Sequence, residues 1–128
     1  MNPKFRAWNK TWEEMGEVRR IRFYDKGSVS TVLVKCNGEA KNLTKDEVII
    51  MQSTGLRDKN GKEIFEGDIL FGHAGEDFWE IVEFDIEEGK WIRKDIWYNS
   101  KLDLSDYNES MEIVGNIYEN PELLVVKL

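Results

Sequence analysis

Twenty residues, Met51 to Leu70 (MQSTGLRDKNGKEIFEGDIL), constrain this chain more than any other stretch. Asn60-Gly61 is a hairpin signal, because a type I′ turn needs positive φ at both central positions and Asn and Gly tolerate it best. Leu56-Arg57-Asp58 and Glu63-Ile64-Phe65 supply two short arms. Gly55 and Gly67 bracket them, where the chain must turn sharply or admit a neighbouring backbone. After Gly67-Asp68, the run Ile69-Leu70-Phe71 reads as entry into a buried strand. Gly55, Asn60, Gly61, Gly67 and Asp68 are therefore expected to act in folding, not in ligand contact. Gly55 through Gly61-Lys62 is not a phosphate-binding loop: the glycine spacing is one residue too long, and Glu63 stands where that motif needs Ser or Thr.

Elsewhere the strand signals are short, closely spaced and separated by turns, the pattern of an all-β sandwich or barrel. Phe5 to Trp8 alternates before a turn at Asn9-Lys10-Thr11. In Val18 to Tyr24, alternation sets Ile21 and Phe23 on one side and Arg20, Arg22 and Tyr24 on the other. Lys26-Gly27-Ser28 turns into the β-branched run Val29 to Lys35, and Asn37-Gly38 offers a second type I′ hairpin. Thr44-Lys45-Asp46-Glu47 has the pattern of a capping box, but Val48-Ile49-Ile50 is poor helix material. One turn followed by a strand from about Glu47 to Ser53 is expected. Further strands are expected at Ile69 to Phe71, Trp79 to Asp85, Lys90 to Trp97 and Glu112 to Tyr118, with a 3₁₀ turn at Ser105 to Asn108 and a closing turn at Asn120-Pro121.

At 128 residues, 41% hydrophobic and 34% charged, the chain is soluble and globular in character. No apolar run would span a bilayer, and Met1-Asn2-Pro3-Lys4 does not open a secretory leader. A lone Cys36 fits a reducing cytoplasm, so the sequons at Asn9, Asn42 and Asn108 are accidental. The net charge of −7 divides into +4 over residues 1–35 and −11 over the remainder. That field disfavours nucleic acid and anionic membranes, and the asymmetry suits head-to-tail contact between copies.

Candidate chemistry is sparse. His73 is the only histidine and lies in Gly72-His73-Ala74-Gly75, with no Ser or Cys beside it, so an exposed loop residue is expected. Cys36 reads as a small, half-buried residue. Glu83 and Asp85 share a strand face, yet no fixed ligand spacing surrounds them and no His/Cys cluster suits zinc. Neither metal nor cofactor is expected. The most suggestive surface is Arg19, Arg20, Arg22 and Lys26 with Tyr24 among them, which could track a phosphate backbone and stack a base. An exposed strand face whose arginines blunt aggregation is the favoured reading of the same residues. Trp91 and Trp97 have one strand parity and Ile92 and Ile96 the other, so one of those faces needs a cover, either the N-terminal strands or another copy.

Three blocks resemble the YopX family of phage and prophage proteins. They are Lys4-Phe5-Arg6-Ala7-Trp8, the Met51 to Leu70 run, and Val114-Gly115-Asn116-Ile117-Tyr118-Glu119-Asn120-Pro121-Glu122-Leu123-Leu124. They occur in the family's order and span nearly the whole chain. The resemblance implies a small all-β protein of a mobile element with no established biochemical activity. With the strand spacing, it implies a small SH3-like, partly open barrel over 54–128, with N-terminal antiparallel strands over 1–53 packed against it as one compact unit. The expected function is non-enzymatic: a cytoplasmic accessory protein acting by self-assembly or by binding a phage or host protein. A nucleic-acid-binding module using the Arg19 to Lys26 face is the alternative, and an enzyme of unfamiliar mechanism a distant third.

Overall fold

A computed structural model describes residues 4–125, so Met1-Asn2-Pro3 lies outside the described residues. The architecture is all-β, with short 3₁₀ turns and no α-helix among the described residues. Two compact units divide between Gln52 and Ser53, inside one strand.

The first unit holds β1 (Phe5–Asn9), β2 (Glu14–Phe23), β3 (Val29–Cys36), β4 (Glu39–Thr44) and the start of β5 (Val48–Arg57), paired antiparallel in the order β4-β3-β2-β1-β5. Asn9 Oδ1 closes the first turn by accepting the N–H groups of Thr11 and Trp12. Asn37 (φ +52°) and Gly38 (φ +81°) make the expected type I′ hairpin between Cys36 and Glu39. Glu47 Oε1 accepts the Thr44 N–H and hydroxyl, so the capping-box residues tie down a turn, and the β-branched run leaves it as strand. Ala7, Val32, Val34, Leu43 and Val48 form the buried core, with Val18 and Ile21 packed against it. Gly16 is required beneath that core, because a Cβ there would stand 2.5 Å from Val34 Cγ1.

The alternation expected along Val18 to Tyr24 breaks down. The register against β3 shifts between Val18 and Arg20 and again between Arg22 and Phe23. The first bulge lets Val18 and Ile21, three apart, both reach the core. At the second the extra residue is Ser30 on β3, and Phe23, the last residue of β2, is 60% exposed although alternation sets it on the side of Ile21.

The second unit contains the end of β5 with β6 (Glu63–Phe65), and an open antiparallel sheet in the order β10-β9-β8-β7-β11. Its strands are β7 (Asp68–His73), β8 (Asp77–Asp85), β9 (Lys90–Asp95), β10 (Lys101–Asp103) and β11 (Glu112–Asn116). Among the described residues no pairing joins β10 to β11, so the sheet is not closed into a barrel. Ile64, Leu70, Val82, Leu104 and Met111 are wholly buried and form its core, with Phe78, Trp91, Tyr107 and Ile113 against them.

The β5–β6 hairpin differs from a type I′ turn. Gly61 has the expected positive φ, +79°, but Asn60 does not. Gly61 N–H donates to the Asp58 carbonyl (3.0 Å) and Asp58 N–H to the Lys62 carbonyl (2.9 Å). This is a three-residue loop with a left-handed glycine at its bulge, a geometry in which only Gly61 needs special conformational freedom. Gly55 (φ +79°) lies within β5 rather than outside the hairpin, where four residue steps from Ser53 to Arg57 face two from Phe65 to Glu63. Gly67 (φ +86°) is doubly held, its N–H donating to the Val82 carbonyl and its carbonyl accepting from Ile117. Asp68, 2% exposed, caps the same turn through the Phe65 N–H (2.8 Å).

β9 ends at Asp95, earlier than expected, because Asp95 Oδ1 accepts the N–H groups of Trp97 and Tyr98 (2.8 Å each) and turns the chain. The parity argument for Trp97 and Ile96 therefore lapses. Ile92 is 3% exposed, while Trp91 and Trp97 are half-buried, Trp91 against Phe84 and Trp97 against Trp79.

Candidate functional site

The second unit carries a cleft of about 410 Å³ lined by Ala74, Glu76, Phe78, Glu80, Arg93, Asp95, Ser100, Leu102 and Tyr107. Three adjacent strands build it. Glu80 and Asp95 are register partners on β8 and β9, and so are Arg93 and Leu102 on β9 and β10. Phe78 owes its place to Gly72, its register partner on β7: a Cβ on Gly72 would lie 2.5 Å from the Phe78 ring. Tyr107 arrives from the 3₁₀ region after β10, 6.1 Å from Phe78 between ring centroids.

A buried ion pair belongs to the cleft. Arg93 Nη1 donates to Glu80 Oε1 at 2.8 Å, with side chains 10% and 4% exposed. Arg93 Nε donates to the Asp103 carbonyl (3.1 Å), and its guanidinium carbon lies 5.3 Å from the Tyr107 ring centre. Burial pushes the Glu80 carboxyl above its ordinary range despite the Arg93 hydrogen bond and charge, and the nearby Asp95 charge pushes the same way. A buried charge pair lining a cleft is a recognisable site signature. Sequence reasoning missed it. The apolar neighbours of Glu80 on β8 and of Arg93 on β9 were legible, but the face on which these charges fall depends on the register between the strands.

The residues singled out from the sequence lie elsewhere. Arg19, Arg20, Arg22, Tyr24 and Lys26 are all exposed. Arg19 occupies the bulge and reaches Glu17 at 3.5 Å. Arg20 and Arg22 keep the same side of β2 and make no ion pair among the described residues. Gly55, Asn60, Gly61, Gly67 and Asp68 lie outside the cleft. His73 Nδ1 is 2.8 Å from Asp77 Oδ1 at the exposed turn end of the β7–β8 hairpin, and half-buried Cys36 donates its Sγ–H to the Met15 carbonyl. Glu83 approaches Lys94 at 3.8 Å, and Asp85 Oδ1 caps the next turn through the Glu87 and Glu88 N–H groups.

Comparison with known proteins places the chain in a family. No curated protein matches the chain. The crystal structure of protein EF1440 from Enterococcus faecalis is 31% identical, with a TM-score of 0.68, over 97% of this chain and 99% of that one. The crystal structure of protein YopX from Bacillus subtilis shares the fold at a TM-score of 0.69 and 18% identity, over the whole of both chains. The sequence profile of the family described as YopX protein matches residues 4–125, all three of the blocks read from the sequence. On that match, the chain belongs to the YopX family.

Proposed function

We propose that this protein is a non-enzymatic accessory protein of a phage or prophage, working in the bacterial cytoplasm by binding protein, further copies of itself included. The observation that carries the reading is the composition of the cleft. Its lining has no His, Cys or Lys, and its most buried carboxylate is committed to Arg93 at 2.8 Å. Neither Ser100 nor Tyr107 has a hydrogen-bonded base among the described residues. Such a site binds well and activates poorly. The Arg20 and Arg22 face beside exposed Phe23 and Tyr24 favours a second reading, single-stranded nucleic acid held by charge and stacking.

Capture from a host lysate, with and without nuclease, separates the two. Partners retained after nuclease support protein binding; partners lost with it favour nucleic acid. Retention of no protein at all, together with a monomeric mass in solution, overturns the leading proposal.

A further inference from the structure

We propose that the cleft is a binding site for an organic cation: a guanidinium or ammonium group on an aliphatic stem. The inference deepens the reading of the cleft as a binding site and rests on it. Three carboxylates line the cleft (Glu76, Glu80 and Asp95) against one guanidinium, that of Arg93. The Arg93 charge is offset by Glu80, which accepts from its Nη1, while its Nε donates to the Asp103 carbonyl. Asp95 uses only Oδ1, on Trp97 and Tyr98, and Glu76 makes no ion pair among the described residues. The cleft therefore keeps an excess of negative charge that no side chain in its lining balances, and an anion would be repelled.

The walls suit the rest of such a ligand. Phe78, Leu102 and Ala74 offer apolar surface for an aliphatic stem, as amphipathic side chains require. Tyr107 already receives one guanidinium, at 5.3 Å, and the Phe78 ring stands 6.1 Å from the Tyr107 ring in the same wall, so the lining is one that accommodates a cation beside an aromatic ring. At about 410 Å³ the cleft is in the size range of ligand sites, roughly 300–1,000 Å³, and larger than one side chain needs. Two sources supply this chemistry, an arginine or lysine side chain of a protein and a free small cation.

Nuclear magnetic resonance titration of the full chain tests it with three probes: acetyl-Gly-Arg-Gly-amide, its citrulline counterpart, and agmatine. Saturable shifts confined to Phe78, Ser100, Leu102 and Tyr107 with the arginine peptide, and none with citrulline, are expected. Glu76→Gln should weaken binding by up to about five-fold, the worth of an exposed ion pair. Leu102→Lys, at a half-exposed position, should abolish it by tethering a cation at the cleft. Tighter binding of the peptide identifies a protein side chain as the source, and tighter agmatine binding a small molecule. Equal response to citrulline, shifts outside the cleft, or none at all overturns the inference. A chain that is monomeric and captures no protein, yet shows these shifts, would fail the protein-binding proposal and keep the cation site.

Discussion

Asp58 and Ile113 lie 55 residues apart, yet Asp58 Oδ2 accepts the Ile113 N–H at 3.0 Å. The other oxygen, Oδ1, accepts the N–H groups of Asn60 and Lys62 at 2.9 Å each, so one carboxylate both closes its own hairpin and pins that hairpin to β11. Two further bonds reinforce the contact: Asn108 Nδ2 donates to the Arg57 carbonyl (2.7 Å), and Lys59 N–H to the Met111 carbonyl (2.9 Å). Asp58 is 4% exposed, so its partners have little water to turn to.

Asp58→Ala should therefore destabilise the protein by about 3 kcal/mol, because it strands N–H donors on two separated segments. Urea unfolding measures it; a loss below about 1 kcal/mol would mean that water replaces the carboxylate. A pH dependence follows. Burial works to raise the Asp58 carboxyl, but the N–H groups of Ile113, Lys62 and Asn60 and the Lys62 charge hold it below its ordinary 3.8. A depressed native value contributes stability above the unfolded-state value that is lost as pH falls through the native one. Acid below about pH 4 should narrow the gap between wild type and Asp58→Asn, with no such narrowing between pH 6 and 8.

The hairpin turn gives a paired test. With φ at +79° and open space where a Cβ would stand, Gly61→Val should lose about 1–2 kcal/mol through backbone strain alone. Asn60→Ala should lose less than about 0.5 kcal/mol, because Asn60 does not have positive φ. Comparable losses at both positions would restore the type I′ turn.

These positions also mark how far the sequence was legible. Turns announced themselves through local chemistry: Asn37-Gly38, Thr44 to Glu47 and the Gly67-Asp68 corner formed where expected. Asp58 was visible only as one residue of a strand arm, because its partner is on β11. A bulge in β2 at Arg19 defeated strict alternation, since a one-residue insertion reverses the faces that follow. The cleft was illegible for the same reason. Charges on strands read as solvent-facing until register brings Glu80 within reach of Arg93.

Breaking the Glu80–Arg93 pair should be costly in either direction. Glu80→Leu or Arg93→Leu each leaves an uncompensated buried charge and should cost about 3–5 kcal/mol, whereas the double replacement should cost less than the sum. Additive losses in a double-mutant cycle would show that the pair does not act as a unit. The Glu80 carboxyl is raised above its ordinary 4.5, so the native state holds its proton more tightly than the unfolded chain. Its contribution to stability is full below the unfolded-state value and lost as pH climbs through the raised native value, opposite in sign to Asp58.

Duplex DNA should bind weakly or not at all at physiological salt, given a net charge of −7. Any binding should require Arg19, Arg20, Arg22 and Lys26 and fall steeply with added salt. An electrophoretic shift that survives alanine at all four positions would move the interface away from β2.

Self-association is the remaining expectation, and the buried Ile92 changes its basis. A tryptophan face left bare on β9 no longer supplies the drive, because Ile92 is covered and Trp91 and Trp97 pack against Phe84 and Trp79. The exposed large apolar side chains are scattered along the chain and include Trp12 (59%) in the β1–β2 turn, Ile86 (85%) in the β8–β9 turn, Tyr98 (74%) after β9, and Phe23 with Tyr24 at the end of β2. Charge is organised more coherently. Arg20 and Arg22 make no ion pair among the described residues and lie in a segment of net +4, and the acidic remainder of the chain includes the cleft and the Glu87-Glu88 turn. A contact setting β2 of one copy against the acidic part of the next is heterologous, and closes into a ring or extends as a filament according to its rotation. Light scattering coupled to size exclusion decides it. A mass well above 15.0 kDa at tens of micromolar protein (a working range of about 10–100 μM), falling on addition of salt and in Arg20→Glu/Arg22→Glu, is the expected result. A salt-insensitive oligomer would assign the interface to the exposed Ile86 and Tyr98 instead, and a single species at 15.0 kDa would dismiss self-association altogether.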